Sequence, residues 1–291
     1  MTDERTATDL GPSGDLPGAL LARWAITDIE EIDRDLFRAP RGGYGTSLTT
    51  LYGGQVAAQA LAAAGRTVAP DRYPHSLHGY FLRPGSPERP VLFHVDHDRD
   101  GGSFSARQVR AVQGGEVIFS MVASFQAEAP GEDFDELRYR EVPDPDDLPV
   151  TRETGIFEVR EVTPTRLEDG LFSDCQWIRL SGPLPDDRLV HACAVTYVSD
   201  MGSGFGHFRR PGLHRGGPSV DHAVWFHSPV RADDWLLLDL QPTKVRGERG
   251  LYGGTVSDRA GRLGAFLHQE MLLRWGPVDM AGDQPTVVSE P

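Results

Sequence analysis

The sequence predicts an α+β fold built from two similar halves. Each half contains one helical segment that is apolar or small on nearly every side, followed by four segments with strand character. Short connections rich in Gly and Pro join those strands, as in antiparallel hairpins. Because a helix without a polar face is buried, we expect each sheet to wrap around its own helix.

The first half follows residues 1–22, which are rich in Asp, Thr, Gly and Pro and are expected to be disordered. A strand with a polar turn is predicted at 24–40, and an Ala-rich helix at Gly53–Gly65. We assign residues 23–127 to this first repeat. Its four further strands are predicted at 75–85, 89–100, 103–113 and 116–127.

The second half, residues 171–276, restarts the pattern. Its helix is predicted over 186–202, because Asp186 and Asp187 suit a helix N-terminus and Gly202 suits its end. The strands after it are predicted at 219–230, 234–245, 249–259 and 262–275.

One helix followed by four antiparallel strands, occurring twice, is an internal repeat. This is the plan of a double hotdog, in which pairing two sheets removes an open edge from each. Residues 128–170, rich in Pro, Asp and Glu, are predicted to be a linker, and residues 277–291 a C-terminal tail. The remaining edges and faces predict a homo-oligomer.

Bulk properties exclude several classes of function. No stretch approaches the roughly 18 apolar residues of a membrane span, so no span is expected. The net charge of −14 argues against nucleic acid and anionic membranes as partners. The N-terminal segment lacks the features of a signal peptide, and Cys175 and Cys193 are too few for a disulfide framework. We therefore expect a cytoplasmic protein.

Asp200 falls in the last turn of the second predicted helix. A carboxylate there faces the negative end of the helix dipole and, if buried, must also be desolvated. Such costly charges are candidates for chemistry. The alternative is a side chain in solvent at a frayed helix end, and the helix alone leaves both interpretations open.

Six segments carry a family resemblance when they are taken together: GGQVAAQAL, HSLHGYFLRPG, DRDGGSFSARQVRAVQGGEVIFSMVASFQ, PDDRLVHACAVTYVSD, SVDHAVWFH and LHQEMLLR. In this order they resemble the acyl-CoA thioesterase II family, from Trp24 to Trp275 except in the linker. The resemblance implies a double hotdog that hydrolyses fatty acyl-CoA to free fatty acid and coenzyme A. Acyl-CoA is then the partner, and no cofactor is implied.

The resemblance also implies a catalytic group of an Asp, a hydroxyl residue and a Gln that together hold a water. The matching residues are Asp200 at the end of YVSD, Ser219 in SVDH and Gln269 in LHQE. Some members of the family have Thr where this chain has Ser219, and either residue supplies a hydroxyl oxygen. The loop between Asp200 and Ser219 is slightly shorter than in the family, which alters the rim of the pocket.

The residues themselves support Gln269 as a buried polar group. It shares strand parity with apolar residues, so it points toward the helix, where an amide needs partners. Those residues are Leu263, Ala265, Leu267 and Met271. Opposite the three polar residues, the first half has approximately Ala64, His75 and Ala123. A requirement of the fold would appear in both halves, so the difference favours a functional role.

These residues suggest a mechanism. Asp200 accepts a proton from a water that attacks the thioester carbonyl. Amides around Gly54 and Gln55, at a helix N-terminus, are candidates to stabilise the oxyanion. Because the thiolate of coenzyme A is a good leaving group, no metal or covalent nucleophile is needed.

Two other functions are considered. A hotdog enoyl-CoA hydratase would use an Asp at a helix start with a His five residues later, but Phe205 occupies that position after Asp200. A non-catalytic acyl-CoA binding module would not need a water-activating group. A metal site is disfavoured because His94 and His97, three apart in a strand, point to opposite faces.

Other candidate residues are interpreted more simply. His222 and His227 are expected in the core or at the pocket rim. Neither cysteine has the companions of a nucleophile, and no Gly-x-Ser-x-Gly elbow is present. Five arginines are expected in solvent, with contacts to the coenzyme A phosphates as the alternative: Arg209, Arg210, Arg215, Arg246 and Arg249.

Overall fold

The computed structural model of the chain describes most of the region between Ile26 and Trp275. The described residues are 26–39, 49–132, 134, 140–162, 173–203, 205, 213–214 and 217–275. The predicted disordered segment (1–22) and the predicted tail (277–291) lie outside the described residues.

The described part of the chain contains the helices α1 (Gly53–Gly65) and α2 (Arg188–Ser199), and a short 3₁₀ turn at Pro145–Asp147. None of its helices is long and apolar enough to cross a membrane. The strands are β1 (Glu30–Asp33), β2 (Leu36–Ala39), β3 (Arg72–Phe81), β4 (Val91–Asp100), β5 (Phe104–Gln113), β6 (Glu116–Ala127), β7 (Arg152–Glu153), β8 (Phe157–Glu161), β9 (Asp174–Leu180), β10 (Leu213–His214), β11 (Asp221–Phe226), β12 (Leu236–Arg246), β13 (Arg249–Asp258), β14 (Leu263–Leu272) and β15 (Arg274–Trp275).

Thirteen of these strands form one antiparallel sheet, and its two halves have the same strand order. In the first half the order is β2, β4, β5, β6, β3; in the second it is β9, β12, β13, β14, β11. In both halves the last strand is therefore the first strand of this sheet to follow the helix, β3 in the first half and β11 in the second. The halves join where β3 pairs with β11, with Leu77 opposite Val224.

The two helices lie side by side and run in opposite directions. A Cβ atom on Gly54, at the start of α1, would stand 2.6 Å from the backbone oxygen of Tyr197, near the end of α2. A Cβ atom on Gly65, at the other end of α1, would stand 2.5 Å from the side chain of Leu189. Only a glycine fits against the backbone oxygen of Tyr197, whereas at Gly65 the Leu189 side chain would have to shift. The start of α1 therefore lies beside the end of α2.

One hydrophobic core runs through both halves and encloses the helices. The Ala-rich helix α1 is buried along its length, as predicted, and the inner faces of the strands cover it. Phe93 and Phe119 from the first half and Leu240 and Leu267 from the second are fully buried in this core. Each such side chain contributes about 1.5–3 kcal/mol by leaving water.

Helix α2 is shorter than the predicted span of 186–202. Asp187 is its N-cap, and its side chain accepts a hydrogen bond of 2.8 Å from the Leu189 backbone amide. This cap satisfies an N–H group that has no partner within the helix. The helix therefore begins at Arg188, the residue after its cap. At the other end Asp200 is the C-cap rather than a residue of the last turn.

Two sequence predictions about the connections need correction. The predicted linker (128–170) contains β7 and β8, and β8 pairs with β9, so the second half of the sheet begins before residue 171. Alternating apolar residues explain this strand, because Phe157 and Val159 are buried within an otherwise polar segment. The single strand predicted at 24–40 is instead the hairpin β1–β2, which turns at Asp35 with φ of 57°.

Candidate active site

Asp200 lies where α2 ends. Its backbone leaves the helical conformation (φ −91°, ψ 4°) for the sparsely populated region between helix and strand. The residue is only 9% exposed. The interpretation in which this carboxylate points into solvent is therefore wrong, and the buried group needs hydrogen-bond donors.

The predicted partners of Asp200 come from the neighbouring strands of the second half. Gln269 lies in β14 and is 1% exposed, which confirms the inward direction inferred from strand parity. Ser219 precedes β11 and forms an isolated bridge with Met271, two residues after Gln269. This register places both side chains at the end of α2.

Asp200, Ser219 and Gln269 form a closed triangle of hydrogen bonds. The Ser219 hydroxyl donates to Asp200 Oδ1 over 3.0 Å. Gln269 Nε2 donates to the same oxygen over 2.7 Å and to Ser219 Oγ over 2.5 Å. An amide nitrogen has two hydrogens, and a hydroxyl both donates and accepts, so all three bonds form together. The structure thus brings all three sequence-predicted residues into direct contact.

The second carboxylate oxygen of Asp200 faces the first half of the chain. A Cβ atom on Gly53, in the first turn of α1, would stand 2.8 Å from Asp200 Oδ2. The N-cap residue Tyr52 makes no side-chain cap hydrogen bond to the amide groups of this helix end. A helix N-terminus carries roughly half a positive charge, which offsets the negative end of α2. The unfavourable dipole inferred from the sequence is therefore balanced by a second helix.

Asp200 opens onto a small cavity of about 80 Å³. The Tyr52 hydroxyl donates to the Tyr197 backbone oxygen over 2.8 Å. Burial raises the pKa of Tyr52 well above its usual value, and the charge of Asp200 raises it further. The Tyr52 hydroxyl therefore stays a neutral donor. The cavity is lined by Tyr52, Arg152, Phe157, Tyr197, Asp200, Met201 and Gly202.

A larger cavity of about 220 Å³ lies at the opposite end of α2. It is bounded by Arg188 and His191 of the helix, by Phe226 at the end of β11 and by His227 after it, so His227 is at the rim of this other cavity. Volume alone does not identify a reactive site. We assign the candidate active site to the smaller cavity, because a buried carboxylate with two directed donors is the more specific chemical feature.

Arg152 is the basic side chain in the lining of the Asp200 cavity, and the sequence did not indicate it. It is exposed, and its guanidinium lies 5.1 Å from the centre of the Phe157 ring. Of the arginines considered from the sequence, Arg249 is paired with Glu270 at 2.8 Å, and Arg246 is exposed. The other three, Arg209, Arg210 and Arg215, lie outside the described residues.

His222 is a core residue, as one of the two sequence interpretations had it. It is fully buried, and its Nε2 lies 2.8 Å from Ser199 Oγ. Burial lowers its pKa, and the nearby charge of Asp200 only partly opposes this, so the ring is neutral. The residue sits between the last residue of α2 and the strands that carry the triangle.

The two cysteines take no visible part in the site. Both thiols are free and buried; burial raises the pKa of Cys175 to about 12 and that of Cys193 even further. Neither is a thiolate at neutral pH. Across the parts of the chain that the structure describes, no three His, Cys, Asp or Glu side chains are grouped to hold a metal ion.

The described residues of the first half have no carboxylate at the end of their helix to match Asp200. Helix α1 ends at the C-cap residue Arg66, so the structural counterpart of Asp200 is Arg66 rather than Ala64. Arg66 donates to the backbone oxygens of Ile29 and Thr27. A cation with backbone partners thus occupies the place that a carboxylate has in the second half.

Comparison with known proteins agrees with this division of the chain. Residues 41–126 match the family model "Acyl-CoA thioesterase N-terminal domain". Residues 137–273 match the model "Acyl-CoA thioesterase C-terminal domain", which includes all three residues of the triangle. Together the two models cover most of the 291 residues.

Individual relatives agree with the family models. Acyl-coenzyme A thioesterase 8 of Mus musculus is 34% identical over 297 residues, covering 91% of this chain and 92% of the relative. The structure of the acyl-CoA thioesterase II TesB2 from Mycobacterium marinum is 38% identical, with a TM-score of 0.74, over 88% of this chain and 98% of that one. A hotdog-fold protein from Alicyclobacillus acidocaldarius is 20% identical with a TM-score of 0.71, over 87% of this chain and 98% of that one, and shows the fold alone. The chain belongs to the acyl-CoA thioesterase II family and is an acyl-CoA hydrolase with a hotdog fold.

Proposed function

We propose that this hydrolase cleaves fatty acyl-CoA to a free fatty acid and coenzyme A, with Asp200, Ser219 and Gln269 as its catalytic residues. The observation that carries the proposal is the triangle of hydrogen bonds around Asp200 Oδ1, which leaves Oδ2 directed at the start of α1. Two donors hold the carboxylate in one orientation. A water beside Asp200 would then meet a base that is already positioned.

The reaction balances without a cofactor. Asp200 takes a proton from the water as its oxygen attacks the thioester carbonyl and forms a tetrahedral intermediate. Amide groups in the first turn of α1 stabilise the oxyanion, because that helix end carries positive character. The C–S bond then breaks, the thiolate of coenzyme A leaves, and the proton on Asp200 returns to the sulfur or to solvent.

The fold supports one further structural proposal. We take the two halves, which share a strand order and each enclose one helix, to be two hotdog units in one chain, a double hotdog. Only the second unit carries the triangle, while the first supplies the helix end that faces it. On this proposal neither unit alone forms a complete site.

The competing functions explain the site less well. A hydratase of the kind considered above would have its Asp at a helix start, whereas Asp200 is a C-cap. A binding module would have no use for a buried carboxylate oriented by two donors, since burying such a charge costs stability without improving retention of an apolar chain.

We also propose that the chain forms a homo-oligomer through the outer face of the sheet. Tyr80 and Val122 are 58% and 44% exposed there. The rings of His78 and Trp225 meet at 5.0 Å on the adjoining strands β3 and β11, and Phe266 continues the surface on β14. Such a patch favours a second copy. Light scattering should give a mass above that of one chain, and Tyr80→Glu with Val122→Glu should lower it; a monomeric wild type would contradict the proposal.

A cytoplasmic location is the remaining proposal. It rests on the two free, buried thiols, which suit a reducing compartment. Fractionation of the source cells with an antibody to the chain would test it.

The reaction is tested by measuring free thiol release from acyl-CoA esters of short to long chain length. We expect turnover of fatty acyl-CoA, and the dependence on chain length will define the acyl specificity. Calorimetric binding of an ester without thiol release would instead favour the binding module.

A further inference from the structure

His222 and Gln269 face each other across two neighbouring strands. Strands β11 and β14 are antiparallel, with Ala223 opposite His268. Continuing this register by one residue places His222 opposite Gln269. Cβ atoms of directly opposed residues lie about 5 Å apart, and both side chains point inward, being 0% and 1% exposed. The two side chains are therefore neighbours in a site closed to water.

Each of the two side chains has one buried polar atom that no described group reaches within full hydrogen-bond geometry, although the Gln269 side chain is close enough to oppose the lowering of the His222 pKa by burial. These atoms are Nδ1 of His222 and Oε1 of Gln269. The remaining polar atoms are occupied: His222 Nε2 lies 2.8 Å from Ser199 Oγ, and Gln269 Nε2 donates within the triangle. A buried polar group without a partner costs about 1–3 kcal/mol.

The two atoms are complementary in one tautomer of the imidazole. A neutral histidine carries its proton on one ring nitrogen, and the other nitrogen accepts. If Nδ1 carries the proton, it donates to Gln269 Oε1, and Nε2 accepts from the Ser199 hydroxyl. The single Ser199 hydrogen then points to Nε2 instead of the Thr196 backbone oxygen, which lies 3.0 Å from the same hydroxyl. If Nε2 carries the proton, the lone pair of Nδ1 opposes the lone pairs of Oε1 and both atoms lose a partner. The first tautomer satisfies every polar atom of the pair.

We propose that His222 is a positioning residue that fixes the orientation of the Gln269 amide by donating from Nδ1 to Oε1. This inference rests on the proposed role of Gln269 in hydrolysis. An amide can rotate by half a turn and exchange its oxygen and nitrogen. The exchange would place Oε1 against Asp200 Oδ1, two acceptors in a buried space, and would remove a donor from the carboxylate. His222 prevents this by giving Oε1 a partner on the opposite side.

Two substitutions distinguish the role of Nδ1 from the role of Nε2. His222→Asn keeps an N–H donor near the position of Nδ1, because the asparagine amide is attached at the same carbon. His222→Gln keeps an amide near the position of Nε2, where Ser199 lies, but places no donor near Oε1. Both variants are neutral and polar, so each serves as the control for the other.

The experiment compares kcat and KM for thiol release by these variants, with the melting temperature as a measure of folding. We expect His222→Gln to lower kcat by roughly 10- to 100-fold with little change in KM, and His222→Asn to stay within about threefold of wild type. Equal losses of activity in the two variants, or no loss in His222→Gln while it is folded, would overturn the proposal.

A double mutant tests whether His222 acts through Gln269. Adding His222→Gln to Gln269→Ala should cause no further loss of kcat, because the group that His222 orients is already absent. Additive losses would contradict a positioning role. Asp200→Asn in the same assay separates the two proposals: if it keeps full activity, the proposed catalytic role of Asp200 fails although the hydrolysis stands. If it collapses while His222→Gln remains active, only the role of His222 fails.

Discussion

Asp200 Oδ2 lies 2.8 Å from the position that a Cβ atom on Gly53 would occupy. The two residues are far apart in the sequence and belong to different halves of the chain. Their contact exists because α1 and α2 run in opposite directions at close approach. The carboxylate at the C-terminus of one helix is thereby placed at the N-terminus of the other, so the dipoles of the two helices act on it in opposite senses.

Gly53→Ala should reduce activity more than stability. The new methyl group would meet Asp200 Oδ2 at 2.8 Å and the Phe81 ring at 3.0 Å, so the carboxylate must move away from the start of α1. A displacement of about 1 Å in a catalytic group can cost roughly 100-fold in rate. We expect kcat for thiol release to fall at least tenfold while the melting temperature changes little.

The control for Gly53→Ala is Gly102→Ala, since no atom lies within 4 Å of a Cβ at Gly102. Its kcat should equal that of wild type. A fully active Gly53→Ala would show that the close contact between this helix end and Asp200 does not matter for turnover.

Ser219→Thr should remain active, whereas Ser219→Ala should not. The hydroxyl donates to Asp200 and accepts from Gln269, and threonine preserves that oxygen. Removing it leaves two buried groups short of one partner each, a loss of about 1–3 kcal/mol, or roughly 5- to 150-fold in kcat. Steady-state kinetics on both variants checks this. Equal activity of the alanine variant would remove Ser219 from the catalytic group.

Arg152→Gln should weaken the use of acyl-CoA but not of a truncated thioester. Arg152 is an exposed cation in the lining of the Asp200 cavity, and the coenzyme A phosphates are anions. We expect KM for acyl-CoA to rise about three- to tenfold, corresponding to one exposed charge contact. Acyl-pantetheine, which lacks the nucleotide phosphates, should show no change.

Arg262→Gln is the matched control for Arg152→Gln, because Arg262 is exposed and pairs with Asp258 away from the cavity. It should leave both KM values unchanged. Parallel losses with both substrates in Arg152→Gln would indicate a structural role instead of phosphate binding.

The sequence predicted those parts of the site that depend on local pattern. Strand parity predicted that the Gln269 side chain points inward. The position of Asp200 at the end of a buried helix predicted a carboxylate whose burial is energetically unfavourable, and hence a candidate catalytic group. Ser219 precedes its strand rather than lying in it, so only the family resemblance indicated it.

Other features could not be predicted because they depend on contacts between distant segments. The approach of Gly53 to Asp200 requires the two halves to be joined with their helices antiparallel. Arg152 reaches the cavity from a segment whose composition is that of a linker. The pairing of His222 with Gln269 requires the register of β11 on β14, which strand periodicity does not define.

The free energy of unfolding should fall as the pH drops below about 6.5, partly because of His222. Burial lowers its pKa in the folded state, with Asp200, the Gln269 side chain and Asp221 opposing, so the unfolded chain binds a proton that the folded chain does not. The stability contributed by the neutral ring is present above the ordinary histidine pKa and is lost below it, at up to about 1.4 kcal/mol per pH unit.

Urea unfolding of wild type and His222→Asn at pH 7 and pH 5 measures this contribution. The loss of stability on acidification should be smaller in the variant, which has no titrating group at this position. His191, whose pKa burial also lowers, is present in both proteins and cancels in the comparison. Identical pH dependence in the two proteins would contradict the assignment of a neutral, buried His222.

Asp200→Asn tests the central claim most directly. The substitution keeps the size of the side chain and an oxygen that can accept from Ser219 and Gln269, but it removes the base. If Asp200 activates the attacking water, kcat/KM for thiol release from a long-chain acyl-CoA should fall by at least about 100-fold while the melting temperature stays close to that of wild type. A folded Asp200→Asn enzyme with activity within about threefold of wild type would contradict the account.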